Sequence, residues 1–265
     1  MNVYFLGGGN MATAIVAGMT QQGGYEIEVI DRNQNKRQYL SERYQIRTSA
    51  KLTELAATDI LVLAVKPQDM QQATTGIRLN GALVLSIAAG LTISTLSQFL
   101  GNHQRIIRIM PNTPCQIGQG ISGIYASVGI SKADKTIAEN IMRTTGEVVW
   151  LEDENGINRI AGISGSGPAY VFYFLNALQQ AAIQQGFSPE EAHRLTLGTF
   201  KGAVNLAEQS GTEFAQLQKN VTSKGGTTFA ATSVFDRHQL TQVVIDGVAA
   251  SVARAEEMQQ QLAPI

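Results

Sequence analysis

Charge is scarce in this chain: only 15% of its 265 residues are Asp, Glu, Lys or Arg, and the net charge is −1. No run of Lys or Arg marks a nucleic-acid face or a polybasic membrane patch. Cys115 is the single cysteine, which excludes an intrachain disulfide and fits a reducing compartment. His103, His193 and His238 are far apart and show no metal-ligand spacing, so no metal site is expected. Apolar stretches long enough to cross a bilayer are lacking, and the opening Val3-Tyr4-Phe5-Leu6 has no basic segment of an export signal before it. Nor is there a Ser/Pro-rich linker, a repeat or a low-complexity tract. The chain therefore reads as a soluble, cytoplasmic protein whose partners are small molecules or like subunits, with neither nucleic acid nor membrane among them.

What is present is a large apolar fraction, 44% of residues, enough for a buried core. The length suits one large or two modest domains. Over residues 1–152, short β-branched runs alternate with helical stretches, as a parallel α/β sheet requires. Val3–Leu6, Ile27–Ile30, Ile60–Val65, Leu83–Ile87 and Ile106–Ile109 are expected strands apolar enough to be covered on both faces, and Glu147–Trp150 is expected as the last strand. Residues 153–265 read as helices only. Pro168 stands at a helix start, with Ala169–Gln185 following and Gly186 as the stop. Ser188-Pro189-Glu190-Glu191 supplies an N-cap, a first-turn proline and a capping-box acid for a helix reaching Ser210. Further helices are expected over Glu213–Asn220, Thr227–Arg237 and Leu240–Gln260. The segment Tyr170–Ile183 is apolar around most of its circumference and is expected to be buried on all sides, with a second copy of the chain as its cover.

Gly7, Gly9 and Ala12 match the G-x-G-x-x-G/A fingerprint between a strand and the helix Met11–Met19. That context offers a tight turn, room for a pyrophosphate and a positive helix end to face it, and so predicts a dinucleotide-binding domain of Rossmann type. Two signals at the end of the second strand conflict. Asp31 suits the ribose hydroxyls of NADH, or is the cap of the next helix. Arg32, Lys36 and Arg37 suit the 2′-phosphate of NADPH, or form a solvated helix start. Lys66-Pro67 closes the strand Ile60–Val65 at the edge where open α/β sheets bind ligands, and a conformational or phosphate-side role fits Lys66 better than a catalytic one.

In the C-terminal half, Gln218–Thr228 places Gly225, Gly226 and several hydroxyls in a break between helices. One reading is an ordinary turn with a Thr cap. The other is an anion cradle, in which the glycines admit close approach and the amides of Gly226, Thr227 and Thr228 face a carboxylate unpaired.

The run Val221-Thr222-Ser223-Lys224-Gly225-Gly226-Thr227-Thr228 resembles the signature of pyrroline-5-carboxylate reductases and departs from it only at Lys224, where proline is usual. Gly7-Gly8-Gly9-Asn10-Met11-Ala12, Ala64-Val65-Lys66-Pro67, Met110-Pro111-Asn112-Thr113-Pro114 and Gly165-Ser166-Gly167-Pro168-Ala169-Tyr170 resemble that family too, in its order and over essentially the whole chain. The resemblance implies a homodimer intertwined through its C-terminal helices, often assembled further. It also implies hydride transfer from NADPH, with NADH as alternative, to the imine carbon of 1-pyrroline-5-carboxylate, giving proline. By the same resemblance, Gly7, Gly9, Asn10, Met11, Ala12, Ala64–Pro67 and Ala88-Ala89 serve the cofactor, and Asn220 its nicotinamide side. Ser223 and the amides of Gly225, Gly226, Thr227 and Thr228 would hold the substrate carboxylate. Thr228 would also present its hydroxyl to the ring nitrogen, and Glu154 would lie near the substrate. For Ala88-Ala89 tight packing, for Asn220 a polar loop residue and for Glu154 a surface acid stand as alternatives. The loop contains no His, Asp or Glu, which suits a protonated imine that needs no strong acid at the chemical step. A β-hydroxyacid dehydrogenase would need a Gly-x-x-Gly-x-x-x-Lys-x-x-Asn segment, which Lys201 and Lys219 lack. A deazaflavin-dependent reductase would not predict the Ser-Lys-Gly-Gly-Thr-Thr loop, and a regulator without turnover would not be expected to keep it.

Overall fold

The computed structural model describes residues 1–263. The chain divides into two compact units: Met1–Ser166 together with the stretch from Ala250 onward, and Gly167–Ala249.

The first unit is built on an eight-stranded sheet of order β3-β2-β1-β4-β5-β6-β7-β8. Its strands are β1 (Asn2–Leu6), β2 (Glu26–Ile30), β3 (Arg47–Ser49), β4 (Ile60–Leu63), β5 (Leu83–Ser86), β6 (Ile106–Met110), β7 (Gly120–Ala126) and β8 (Gly146–Trp150). The helices of this unit are α1 (Asn10–Gln22), α2 (Gln34–Tyr44), α3 (Met70–Thr74), α4 (Ile93–Phe99), α5 (Lys132–Arg143) and α6 (Gly156–Ile160). All four residues of β4 and of β5 are buried, as strands with both faces covered must be. The alternation of β1 separates two cores. Val3 and Phe5 join Ile15 and Met19 of α1 and Ile141 and Met142 of α5. Tyr4 and Leu6 face the other way, onto Leu61, Leu63, Val84 and Leu96. Each such buried side chain contributes roughly 1.5–3 kcal/mol of transfer free energy.

Two strands are absent from the sequence-based expectation. β3 is three residues long and pairs parallel with β2. β7 runs antiparallel to β6, and β8 runs parallel to β7. The glycines of β7 disguise it as a turn, although they answer close packing: a methyl on Gly123 would lie 2.7 Å from Ile160 Cγ2. The division placed between residues 152 and 153 also differs from the contacts. Residues 153–166 and the end of the chain pack in the first unit, because Ile157 and Asn158 of α6 are buried there and Leu262 packs on its second core.

The second unit holds α7 (Gly167–Gln184), α8 (Pro189–Ser210), α9 (Phe214–Asn220), α10 (Thr227–Arg237) and the first part of α11 (Leu240–Gln261). α8 begins with the expected capping box: the Glu191 amide donates to Ser188 Oγ, and the Ser188 amide donates to the Glu191 carboxylate at 2.9 Å. The expected burial of α7 does not occur within one chain. None of its residues is buried, and Phe172 and Tyr173 are 64% and 75% exposed.

Arg105 clamps the edge of the sheet opposite the glycine turn. Its guanidinium donates to the Ala57 and Gly81 carbonyls at 2.9 and 2.7 Å and to both oxygens of Asp134 at 3.0 and 2.6 Å. The Arg105 hydrogen bonds hold the Asp134 carboxyl below its ordinary pKa against the effect of burial. A carboxyl depressed in this way adds stability above its unfolded value of about 3.9, and loses it as the pH falls through the folded value. Asp134→Asn should therefore lower stability at pH 7 by about 1–2 kcal/mol, and the gap should narrow below pH ~4. Urea unfolding across pH checks this, and a gap constant from pH 7 to 3 would contradict it.

Candidate active site

The glycine turn follows from how β1 ends. Gly7 donates its amide to Ile30 O at 2.8 Å on one side, and Ala64 donates to Leu6 O at 2.9 Å on the other. Gly7 has φ +106°, and a methyl there would sit 2.8 Å from the Ala64 carbonyl oxygen, so only glycine fits. Gly9 is the N-cap of α1, with no side-chain cap, and space around its Cα is open. The first amides of α1 thus point at whatever lies over the turn. A groove of about 500 Å³ runs across this edge. Of the expected cofactor residues, Gly7, Gly9, Asp31, Arg32, Ala64, Val65 and Lys66 line it. A pyrophosphate fits this turn: the glycines clear the way and the uncapped helix end supplies amide donors.

Other expected residues lie differently. Asn10, Met11 and Ala12 form the first turn of α1, where Ala12 is buried and Met11 packs on the core. Pro67 starts a short 3₁₀ turn after β4, whose Asp69 amide donates to Lys66 O. Ala88 is buried in the second core, with Ala89 beside it, and neither lines the groove. Asp31 turns inward. One carboxylate oxygen accepts from the Gly8 amide at 2.9 Å and the other from the Asn33 amide at 2.8 Å. The helix-capping role considered for Asp31 belongs to Asn33, which accepts from the Lys36 amide. Arg37 donates to the Asp31 and Arg32 carbonyls, so it braces the turn rather than facing the groove. The sequence reading missed Lys51, which lines the groove from the end of β3, a strand too short to leave a periodic signal.

Glu154 is held inside the first unit. Its Oε1 accepts from the Ile93 amide at 2.6 Å and from Arg108 Nη1 at 2.9 Å. Arg108 is 1% exposed. Burial pushes its guanidinium below the ordinary value, and Glu154 opposes that shift. A second cavity of about 430 Å³, lined by Glu154, Ser94, Gln104 and Tyr125 among others, shares no lining residue with the groove. Metal-ligand clusters are absent among the described residues, and Cys115 is free and buried.

The loop Ser223–Thr228 lies in the second unit as a tight turn ahead of α10. The Gly226 amide donates to Ser223 O at 3.0 Å, and Gly225 has φ +76°. This pattern places Lys224 at the turn position where proline is favoured, with Gly225 at the position that requires positive φ. The Gly226 amide, expected to be unpaired, closes the turn instead. Thr227 and Thr228 open α10 with Gly226 as N-cap and no side-chain cap. Asn220 ends α9, and its side-chain oxygen accepts from Gln216.

Residues 154–258 match the family model described as pyrroline-5-carboxylate reductase dimerisation. Residues 2–90 match one described as NADP oxidoreductase, coenzyme F420-dependent. A pyrroline-5-carboxylate reductase of Vibrio alginolyticus is 40% identical, with 97% of each chain covered. The chain belongs to the pyrroline-5-carboxylate reductase family. Among solved structures, a pyrroline-5-carboxylate reductase from Coxiella burnetii is similar with TM-score 0.87 at 36% identity, covering 100% of this chain and 98% of that one. Plasmodium falciparum pyrroline carboxylate reductase with NADP bound gives TM-score 0.85 at 26% identity, covering 98% of each chain. The match to the F420-dependent model involves the N-terminal part alone, whereas the reductases of this family match from end to end.

The two bonds at Glu154 generate a stability prediction. Glu154→Ala leaves the Arg108 charge buried and unpaired, and should destabilise the protein by about 3 kcal/mol. Denaturant unfolding checks it. A variant as stable as the parent but with a raised KM for the imine substrate would return Glu154 to the substrate site.

Proposed function

We infer that the protein is an imine oxidoreductase acting on a CH–NH group, which reduces 1-pyrroline-5-carboxylate to L-proline with hydride from NADPH, or from NADH. The observation that carries this reading is the Ser223–Thr228 turn, where a glycine-closed bend leaves an uncapped helix start and no His, Asp or Glu side chain. A carboxylate fits the Thr227 and Thr228 amides and the Ser223 hydroxyl. The Thr228 hydroxyl orients the ring nitrogen by a hydrogen bond, and its weak acidity suits a substrate already protonated on nitrogen. Nicotinamide supplies the hydride when the cofactor is bound. Gly7, Gly9 and the first amides of α1 hold its pyrophosphate, while Ala64, Val65 and Lys66 border the nicotinamide half of the groove. Lys224 occupies a proline-type turn position and adds positive potential without taking part in bond making. The work suits the cytoplasm, where a lone buried thiol such as Cys115 stays reduced.

The same reading makes the chain a homodimer, able to assemble further. Phe172, Tyr173, Leu197, Val204 and Val243 are each more than half exposed in one chain, and an obligate interface that covers such helices buries more than roughly 2,000 Å². Sedimentation at nanomolar concentration should find a dimer, and an active monomer there would refute it.

The direct test mixes the protein with NADPH and racemic pyrroline-5-carboxylate, follows reduced nicotinamide by absorbance and identifies proline. Cofactor consumption no faster than the blank would overturn the assignment. Thr228→Val should keep fold and cofactor affinity while lowering kcat/KM by ~10–100-fold. Lys224→Pro should be tolerated, and loss of activity in that variant would make the Lys224 amine part of the chemistry.

A further inference from the structure

The stretches Met110-Pro111-Asn112-Thr113-Pro114 and Gly165-Ser166-Gly167-Pro168 carry no group that the proposed chemistry uses, yet the fold joins them. α6 runs on into a π-helical turn, Ala161–Gly165, in which the Ser166 amide donates to Ala161 O at 2.8 Å, five residues back instead of four. A reason stands just beyond it. The carbonyl of Ser164 would ordinarily accept from the amide four residues on, and residue 168 is proline, which has no N–H and whose ring crowds that carbonyl.

Asn112 supplies the missing donor. Its Nδ2 donates to Ser164 O at 3.1 Å, while its Oδ1 accepts from the Ile121 amide near the start of β7 at 2.9 Å. Both ends of the side-chain amide are in use, and the residue is only 8% exposed, so losing either bond strands a buried polar group. Packing reinforces the contact: a methyl on Gly165 would lie 2.9 Å from Met110 Cε, at the end of β6. The π-turn is thus fastened to the carboxyl end of that strand. β1, β4, β5 and β6 are parallel neighbours, so their carboxyl ends share one edge. With a pyrophosphate over the turn after β1, the nicotinamide extends past the end of β4 toward β5. The imine that takes its hydride lies against it, and β6 with the π-turn is the next wall along the edge.

We propose that Asn112 is a positioning residue for imine reduction, which fixes the π-turn as a wall of the hydride-transfer site by giving Ser164 O the donor that Pro168 withholds. This rests on the reading of the protein as an imine reductase. Asn112 touches neither substrate nor cofactor, and its effect passes through the backbone of Ala161–Gly165. A wall displaced by on the order of 1 Å loosens the imine against the nicotinamide and costs up to about 100-fold in rate.

The test is a double-mutant cycle read by steady-state kinetics, cofactor binding and thermal unfolding. Asn112→Asp keeps an acceptor for the Ile121 amide but faces Ser164 O with oxygen instead of N–H. It should lower kcat/KM for the imine by about 10–100-fold and leave the Kd for NADPH within about 2-fold. Pro168→Ala returns an N–H to position 168. Alone it should change kcat/KM by less than about 3-fold, and combined with Asn112→Asp it should recover at least about 3-fold of the loss. Asn112→Ser, small enough to admit a bridging water, guards against misfolding of the first variant and should show a smaller loss of the same kind. Full kcat/KM in folded Asn112→Asp or Asn112→Ser, with only the unfolding temperature lowered, would make Asn112 a purely structural residue and overturn the proposal. A loss that Pro168→Ala leaves untouched would overturn the role of Ser164 O. Failure of the unmodified protein to oxidise NADPH with pyrroline-5-carboxylate would overturn the reading of function, and the role of Asn112 with it.

Discussion

The end of β1 is the constraint from which the rest of the first unit follows. Two backbone hydrogen bonds, from Gly7 to Ile30 O and from Ala64 to Leu6 O, bring three parallel strands to a stop at one level. Because strand side chains alternate, a slip of one residue would swap Phe5 and Leu6 between the two cores, so both cores enforce that register. With the level fixed, Gly7, Asp31 and Ala64 must meet at the carboxyl edge, and the chain needs glycine at position 7 to turn there without striking the Ala64 carbonyl. The groove is thus a by-product of strand pairing.

A second constraint is electrostatic. Arg108 sits in the middle of β6 with its side chain removed from water, a placement that disfavours its charge until Glu154 and the Ile93 amide complete the arrangement. One guanidinium nitrogen, Nη2, still has no hydrogen-bond partner among the described residues. The carboxylate therefore joins three elements at once: the strand β6, the first amide of α4 and the segment leading into α6. We regard Glu154 as a residue that assembles the unit, and its chemistry as structural.

How much of this was legible before any coordinates depends on whether the signal was local. Val3–Leu6, the glycine fingerprint, the Ser188 capping box and the span Thr227–Arg237 are written in neighbouring residues, and each appears where the local pattern puts it. β7 was not legible because Gly120 and Gly123 read as breakers, while their reason lies in packing that no periodicity shows, against Cys115 and the distant Ile160. β3 has three residues and no alternation to detect. The inward turn of Asp31 depends on the Gly8 amide, which no spacing rule reveals. In the loop the glycines were legible as an opening, yet one of the amides counted as available, that of Gly226, is used to shut the turn. The apolar circumference of α7 was plain, and within one chain none of its residues is buried.

The last helix carries one further implication. α11 starts in the second unit and finishes against the first. There Ser251 bonds Ser166, Gln259 accepts from Asn158, and Leu262 packs beside Gly90 and the second core. In chain order these residues follow every helix of the second unit. The nascent first unit consequently waits through synthesis of every helix of the second unit before its second core is complete, with the apolar surface that Leu262 meets near Gly90 uncovered in the interval. A chain cut before Ala250 would lack Leu262 and leave bare the part of the second core that it meets.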